Sequence, residues 1–323
     1  GAQTVTVVSV FLTAAALLGF SFSNQFWMLI LFAVPYGVGA GAIDAALNNY
    51  IALHYSSRHM SWLHCFWGVG TIVSPFIMSY ALTNSTWNFG YRLIGFIQLG
   101  IGLLLLITLP VNPQKTESDN QKAGLFSVLK IKGVPCLLLG FFAYCAAEAT
   151  AMNWASTYLV EVKDIATDRA ARFASLFYIG LTVGRFLGGF IMNRLGDRKM
   201  ILIGTGILAC GIILLLLPTE NATVSLSGLI IIGLGCAPIY PCIIHSTPNN
   251  FGAENSGVII GIQMASAYIG STFMPPLFGL LGNLVSFSIF PFFLAVFMCL
   301  MIAMTETTFK ITSSKITVKE KQK

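Results

Sequence analysis

Three ionisable side chains stand deep inside apolar runs of this sequence. They are Asp44, in GVGAGAIDAALNNY from Gly37 to Tyr50, Glu148, in FFAYCAAEATAMNW, and Arg185, in YIGLTVGRFLGG. On a membrane-insertion scale each costs about 2.5 to 3.5 kcal/mol at a helix centre, so the three oppose insertion by roughly 8 to 10 kcal/mol if all are central. Side chains kept at that cost face a charge partner or a water-filled cavity and commonly mark ion or substrate pathways. Two carboxylates, with a guanidinium that stays charged near one of them, are equipped for reversible proton binding. A carboxylate that takes up a proton no longer carries charge through a closed, dry state, so reorientation becomes tied to proton movement. Asp44 and Glu148 are therefore the candidate proton-coupling residues, and Arg185 is the candidate charge partner.

Around them lie groups suited to a hydroxyl-rich ligand: Asn48, His64, Tyr144, Asn153, Trp154 and Gln263. Amides bond hydroxyls, and aromatic faces cover the apolar side of a sugar ring. Asn48 follows Asp44 by four residues and shares its helix face, whereas Asn49 lies about 140° away in projection and reads as packing. Tyr144 precedes Glu148 by four and shares its face. An interhelical hydrogen bond is the competing role for each of these side chains. His64, near the start of its span, divides evenly between helix packing and the cavity. Trp27 and Trp87 fall at span ends, where aromatic residues form the interfacial belt.

The elements that must position these residues are membrane helices. Of the 323 residues, 56% are hydrophobic and only 9% charged, with a mean hydropathy of +0.79, against about 25% charged in soluble domains. Apolar runs recur at a length of roughly 18 to 26 residues, enough for a helix to cross a hydrocarbon core of about 30 Å. Barrel strands would be half as long and would alternate. Ten spans are expected, at about 3 to 22, 26 to 52, 61 to 82, 89 to 110, 133 to 158, 171 to 193, 199 to 217, 224 to 245, 256 to 282 and 285 to 305. The polar segment 111–132 separates a four-span N-terminal half, 1–110, from a six-span C-terminal half with a basic tail, 133–323.

The net charge of +6 follows topology rather than nucleic acid, since the Lys and Arg residues fall in short loops and a tail with no aromatic-interleaved patch. With residue 1 on the cytoplasmic side, thirteen of the eighteen basic residues fall inside and only Lys163, Arg169 and Arg172 outside. That asymmetry predicts a multi-pass cell-membrane protein with a cytoplasmic C-terminus. Counted from the span ends, Asp44 and Arg185 each lie about four or five residues to the cytoplasmic side of centre, and Glu148 slightly to the outer side. The offset between Glu148 and Arg185 is about 9 Å along the normal. On depth, Glu148 and Asp44 are both compatible partners for Arg185.

A weak repeat runs through the chain at an offset near 200 residues. GTIVSP (Gly70 to Pro75) is echoed by GSTFMP (Gly270 to Pro275), and the G-x-G at Gly39 and Gly41 by that at Gly233 and Gly235. The repeat pairs the first four spans with the last four, leaving the first half two spans short of the second. Restoring two gives a major facilitator fold: an all-α membrane protein of two parallel six-helix repeats, of which ten helices are present. Gly180, Gly184 and Gly188 form a small-residue stripe for close helix approach. The pairs Pro238 with Pro241 and Pro275 with Pro276 should bend or break their helices.

GGFIMNRLGDRKM, Gly188 to Met200, resembles the major facilitator signature loop G-x-x-x-D-R-x-G-R-K. It matches at Gly189, Arg194, Gly196, Arg198 and Lys199, with Asn193 in place of the acid and Asp197 as an extra residue. The resemblance implies a gating loop built on Gly189, Arg194, Gly196, Asp197 and Arg198. GAGAIDAALNNYIAL followed by MSWLHCFWGVGTIVSP is similar to the fourth and fifth spans of the fucose/galactose/glucose:proton symporter family. There an acid, with an Asn four residues on, takes part in proton coupling or sugar recognition. Asp44 and Asn48 match those positions, with Asp where the family often has Glu. AYCAAEATAMNW, GLTVGRFLGG and GLGCAPIYP also resemble that family, whose first-span acid falls outside this sequence.

The resemblance implies proton-coupled uptake of a neutral hexose or similar polyol by alternating access, in a bilayer, with a sugar-like substrate and protons as partners and a monomer as the working form. The alternative is an exporter of drugs or amphipathic metabolites from the same superfamily. No enzyme is expected: there is no HExxH, no nucleophile with a base at helical spacing and no P-loop. No cofactor or metal is expected either, because the seven cysteines lie inside spans without CxxC spacing or surrounding histidines and read as small packing residues.

Overall fold

A computed structural model describes residues 1–109, 124–219 and 221–320, and within these the side chains of all but 168–169, 171–175 and 314–320. Most of segment 111–132, with Lys115 and Lys122, lies outside the described residues, as do the side chains of Arg169, Arg172 and the tail lysines from Lys315 onward. The described chain is helical: α1 (Ala2–Phe22), α2 (Phe26–His54), α3 (Ser57–Asn84), α4 (Trp87–Thr108), α5 (Leu125–Leu129), α6 (Val134–Lys163), α7 (Thr167–Leu195), α8 (Asp197–Leu216), α9 (Ala222–Cys236), α10 (Ile239–His245), α11 (Thr247–Phe251), α12 (Ala253–Leu284) and α13 (Phe290–Glu320). Among the described residues ten helical segments are long and apolar enough to cross a membrane, α9 and α10 forming one of them. The expected ten spans are thus present. Helices suit a bilayer because each backbone donor and acceptor is paired within its own segment.

The chain divides into two compact units. One comprises Gly1–Tyr50 and Val69–Lys122, the other Ile51–Gly68 and Ala123–Lys323. Thus α3 is shared: its first part belongs to the second unit and its remainder to the first.

In the first unit α1 packs along α4. Gln98 Nε2 donates to Thr13 Oγ1 at 3.0 Å, and Asn88 Nδ2 donates to the carbonyls of Ser21 and Ser23 at 3.3 and 3.0 Å. Each pairing satisfies a polar group that lipid would leave bare.

In the second unit α6 packs on α12 and α13, while α9 is clasped between α7 and α8. The G-x-G of α9 explains how one helix meets two neighbours so closely. Positions two apart point about 200° apart around a helix, so Gly233 abuts the backbone of α7 at Phe177 while Gly235 abuts α8. A Cβ on Gly235 would stand 2.8 Å from the Gly204 carbonyl oxygen. Gly180 and Gly184 of the predicted stripe face α9 at Ile230 and Leu234. At Pro238 the helix is interrupted between α9 and α10, as expected. Pro275 and Pro276, by contrast, sit inside an uninterrupted α12. Of the bend or break expected there, no break is present, and the Pro275 carbonyl accepts from Trp154 Nε1 at 2.8 Å.

Candidate functional site

Glu148 is flanked along α6 by the small residues Ala146, Ala147, Ala149 and Ala151, all buried, so this turn of the helix is enclosed on every side and neighbouring helices come near its carboxylate. Arg185, on α7, donates through Nη2 to Glu148 Oε1 at 3.0 Å. The Arg185 side chain is only 3% exposed and that of Glu148 11%. Of the two partners compatible on depth, Glu148 is paired with Arg185, the side chains spanning the backbone offset. Arg185 Nη1 makes a longer contact to the His64 carbonyl oxygen, 3.4 Å, and Nε is buried with no hydrogen-bond partner. The guanidinium also lies 5.4 Å from the centre of the Trp67 ring, a cation–π distance.

The helix positions that hold this pair follow a simple spacing on α3. Arg58, Ser61, Trp62 and Cys65 recur at three- and four-residue steps, placing them on one face. That face runs along α7: Arg58 Nε donates to the Gly189 carbonyl at 3.3 Å, Ser61 Oγ to that of Arg185 at 2.5 Å, Trp62 Nε1 to that of Phe186 at 3.3 Å, and Cys65 Sγ to that of Thr182 at 3.6 Å. The opening part of α3 is thereby laced to the backbone that carries Arg185. Ser61, Trp67 and Tyr240 were not foreseen as site residues. The stripe on α3 carried a readable signal for Ser61. Tyr240, just past the Pro238 interruption, packs its ring 4.6 Å from His64, 4.8 Å from Phe141 and 6.0 Å from Tyr144.

The other expected residues are placed as follows. Tyr144 is buried, and its hydroxyl donates to the Cys236 carbonyl at 2.9 Å. Asn153 Nδ2 donates to the Ala149 carbonyl of its own helix at 2.7 Å. Trp154 bonds Pro275 and stacks on Phe287 with centroids 5.5 Å apart. Gln263 is fully buried, its Oε1 accepting from Thr247 Oγ1 at 3.0 Å, its Nε2 without a partner. Asp44 and Asn48 are on α2 in the first unit, Asn48 buried and Asp44 partly exposed. Glu148, Arg185, His64 and Tyr144 are therefore brought together in the second unit, while Asn153 and Trp154 lie further along α6, with Trp154 against α12.

The loop residues form a separate cluster. Gly196 takes φ +79°, a conformation favouring glycine, and turns the chain from α7 into α8. Asp197 Oδ2 lies 2.7 Å from His245 Nδ1, and Arg198 grips Glu306 through two bonds of 3.0 and 2.5 Å. Gly189 lies beneath the Trp62 ring, and Arg194 is exposed. Among the described residues no cluster of His, Cys, Asp and Glu is arranged to hold a metal ion.

Among the described residues, ten helices long and apolar enough to cross a membrane, with a buried ion pair between two of them, define a multi-pass membrane protein. The model of the Major Facilitator Superfamily matches residues 1–265 and 171–323, and the chain belongs to that superfamily. A glucose/mannose transporter of Bacillus subtilis (strain 168), GlcP, is 25% identical over 236 residues, covering 69% of this chain and 58% of that protein. The crystal structure of FucP, a major facilitator transporter, in its outward conformation superposes with a TM-score of 0.78 at 16% identity, over 95% of this chain and 83% of that one. The human organic anion transporter MFSD10 superposes with a TM-score of 0.77 at 12% identity, over 93% and 77%. Those two likenesses show the fold, and their near-equal scores carry no choice of cargo. The chain spans about two fifths to two thirds of the length of the first curated relatives it matches.

Proposed function

We propose that this chain belongs to a secondary active transporter that takes up a neutral hexose or a similar polyol together with a proton, by alternating access of two halves. The observation that carries the reading is the buried Glu148–Arg185 pair. A fixed ion pair in a dry interior is a poor stabiliser compared with apolar side chains of the same volume, so its presence points to use. Proton uptake on a Glu148 oxygen neutralises the carboxylate, weakens its hold on the guanidinium, and leaves Arg185 to be satisfied by its other contacts or by cargo. Asp44, one helical turn from Asn48, supplies a second carboxylate with a hydroxyl-binding amide beside it. Tyr240 and Trp67 add aromatic faces of the kind that lie against sugar rings. The relative named as a glucose/mannose transporter supports the choice of hexose. We assign the N-terminal half to 1–110, the connecting cytoplasmic loop to 111–132 and the C-terminal half to 133–323, with the C-terminus cytoplasmic and a monomer as the working unit.

Uptake of labelled hexoses into vesicles, with and without an imposed pH gradient, tests this. Saturable uptake that collapses with the gradient is the expected result. Efflux of amphipathic compounds without hexose uptake would overturn it in favour of the exporter reading.

A further inference from the structure

His245 ends α10, beside the turn at Gly196 that leads into α8. Its ring is held at both nitrogens: Nδ1 is 2.7 Å from Asp197 Oδ2 and Nε2 is 3.1 Å from the Tyr55 carbonyl oxygen. Ser57 Oγ lies 3.3 Å from Nδ1. The side chains of His245 and Asp197 are 13% and 11% exposed, and Asp197 Oδ1 is buried with no hydrogen-bond partner. A carbonyl oxygen and a carboxylate only accept. Neutral imidazole has one N–H and would turn a lone pair toward one of these oxygens, whereas imidazolium has two N–H groups and satisfies both. The cradle is thus shaped for the protonated ring.

The charged and titratable neighbours do not supply a substitute. On α8, Arg198 is turned away to Glu306 of α13. On α3, Arg58 is bonded through Nε to Gly189 and lies over Trp62 and Phe190, and His59 faces Ser56. On α10 itself, the Cys242 thiol interacts with Asp197. From α7, Asn193 Oδ1 accepts from the Arg58 backbone N–H at 3.3 Å. Asp197 is the carboxylate that faces the ring.

What the ring holds gives the cluster its consequence. Tyr55 and Ser57 belong to Ile51–Gly68, which packs with the second unit but continues into the first unit at both ends of the segment. We propose that His245 is a proton-binding site, separate from Asp44 and Glu148, that fastens the α2–α3 connection to the second unit when protonated and releases it when the ring is neutral. Its effect on transport rests on the transporter reading, with the connection freed as the pH on that side rises. The latch itself does not need that reading.

The test uses the full chain with isotopically labelled histidine in nanodiscs, the His245→Gln variant identifying the His245 signals. Across about pH 5.5 to 8.5, the range in which histidine titrates, both His245 nitrogens should show imidazolium shifts at the acid end and lose them toward the alkaline end. Hydrogen exchange of the amides of residues 52–60, corrected for the intrinsic pH dependence, should lose protection on the order of tenfold over the same range, the worth of a hydrogen bond to a charged group. That pH response should be absent in His245→Gln. A ring that is neutral throughout, or an identical exchange profile in both proteins, overturns the proposal. Should that variant fail to fold, single replacements of His54, His59 and His64 by Gln assign the remaining histidine signal to His245, and its titration then decides. No hexose is involved, so this outcome stands or falls apart from the uptake experiment.

Discussion

Replacing Glu148 tests the central pair most directly. At 3.0 Å and an effective dielectric constant near 20, the attraction between the two charges is about 5 to 6 kcal/mol before desolvation is counted. In Glu148→Gln the amide oxygen still accepts from Arg185 Nη2, so the charge–charge part is lost while a hydrogen bond to a charged donor, about 1.5 to 3 kcal/mol, is kept. Glu148→Gln should therefore destabilise, and by less than Glu148→Leu, which keeps no bond to the guanidinium. Glu148→Leu loses both contributions, and 3 to 5 kcal/mol is the usual cost (about that range) of stranding a buried charge. The other groups at Arg185 carry no full negative charge: a carbonyl at 3.4 Å, the Trp67 face and the Tyr144 and Tyr240 side chains, while Nε has no partner. Removing both charges with Glu148→Leu and Arg185→Leu should restore thermal stability to within about 1 to 2 kcal/mol of the original, because apolar pairs replace buried ion pairs at little cost. Thermal unfolding of wild type, Glu148→Leu, Arg185→Leu and the double variant in one detergent completes the cycle, with Glu148→Gln measured beside them. The expected order is wild type and double variant highest, Glu148→Gln intermediate, Glu148→Leu lowest. A double variant less stable than either single, or single variants with unchanged unfolding temperatures, would refute the reasoning. The double variant should at the same time lose gradient-driven uptake, which separates a pair kept for function from one kept for stability.

Asp44→Asn should abolish concentrative hexose uptake while sparing exchange, measured in vesicles; retained proton-driven accumulation would exclude Asp44 from coupling. Gly235→Leu should destabilise by about 1 to 3 kcal/mol in thermal unfolding, since its side chain would meet the α8 backbone. Gly206→Ala, where nothing stands within 4 Å of the new methyl, should leave the unfolding temperature unchanged or higher. Trp154→Phe should lose about 1 kcal/mol with the bond to Pro275 while leaving the KM for hexose unchanged; a raised KM at unchanged stability would instead give Trp154 a ligand role.

The spans were readable because a bilayer demands about twenty apolar residues per crossing, and charges inside such runs are conspicuous. Helix interruptions were less so. Pro238 and Pro275 look alike in sequence, yet only the first interrupts its helix; α12 runs on through Pro275 and Pro276 although each lacks the N–H that would bond the carbonyl four residues before it. The assignment of Ile51–Gly68 to the second unit was equally hidden. It rests on side chain to backbone bonds from α3 to α7, 117 to 135 residues away along the chain, and no local pattern names such a partner.

The polar residues inside the spans divide by what the fold already asks of them. Tyr144, Asn153, Trp154 and Gln263 each have a side-chain atom committed to a bond within the second unit. A cargo hydroxyl reaches those atoms only by exchange, so each such contact returns little of the roughly 1 kcal/mol a new hydrogen bond would bring. Arg185 Nε and Gln263 Nε2 differ, because both are buried donors with nothing to donate to, a state that costs about 1 to 3 kcal/mol until an acceptor arrives. Affinity gained by satisfying an orphaned donor exceeds affinity gained by swapping a satisfied one. If the proposed uptake of a hydroxyl-rich cargo holds, it is these donors, more than the conspicuous Tyr and Trp side chains, that have free energy to give to it in the second unit.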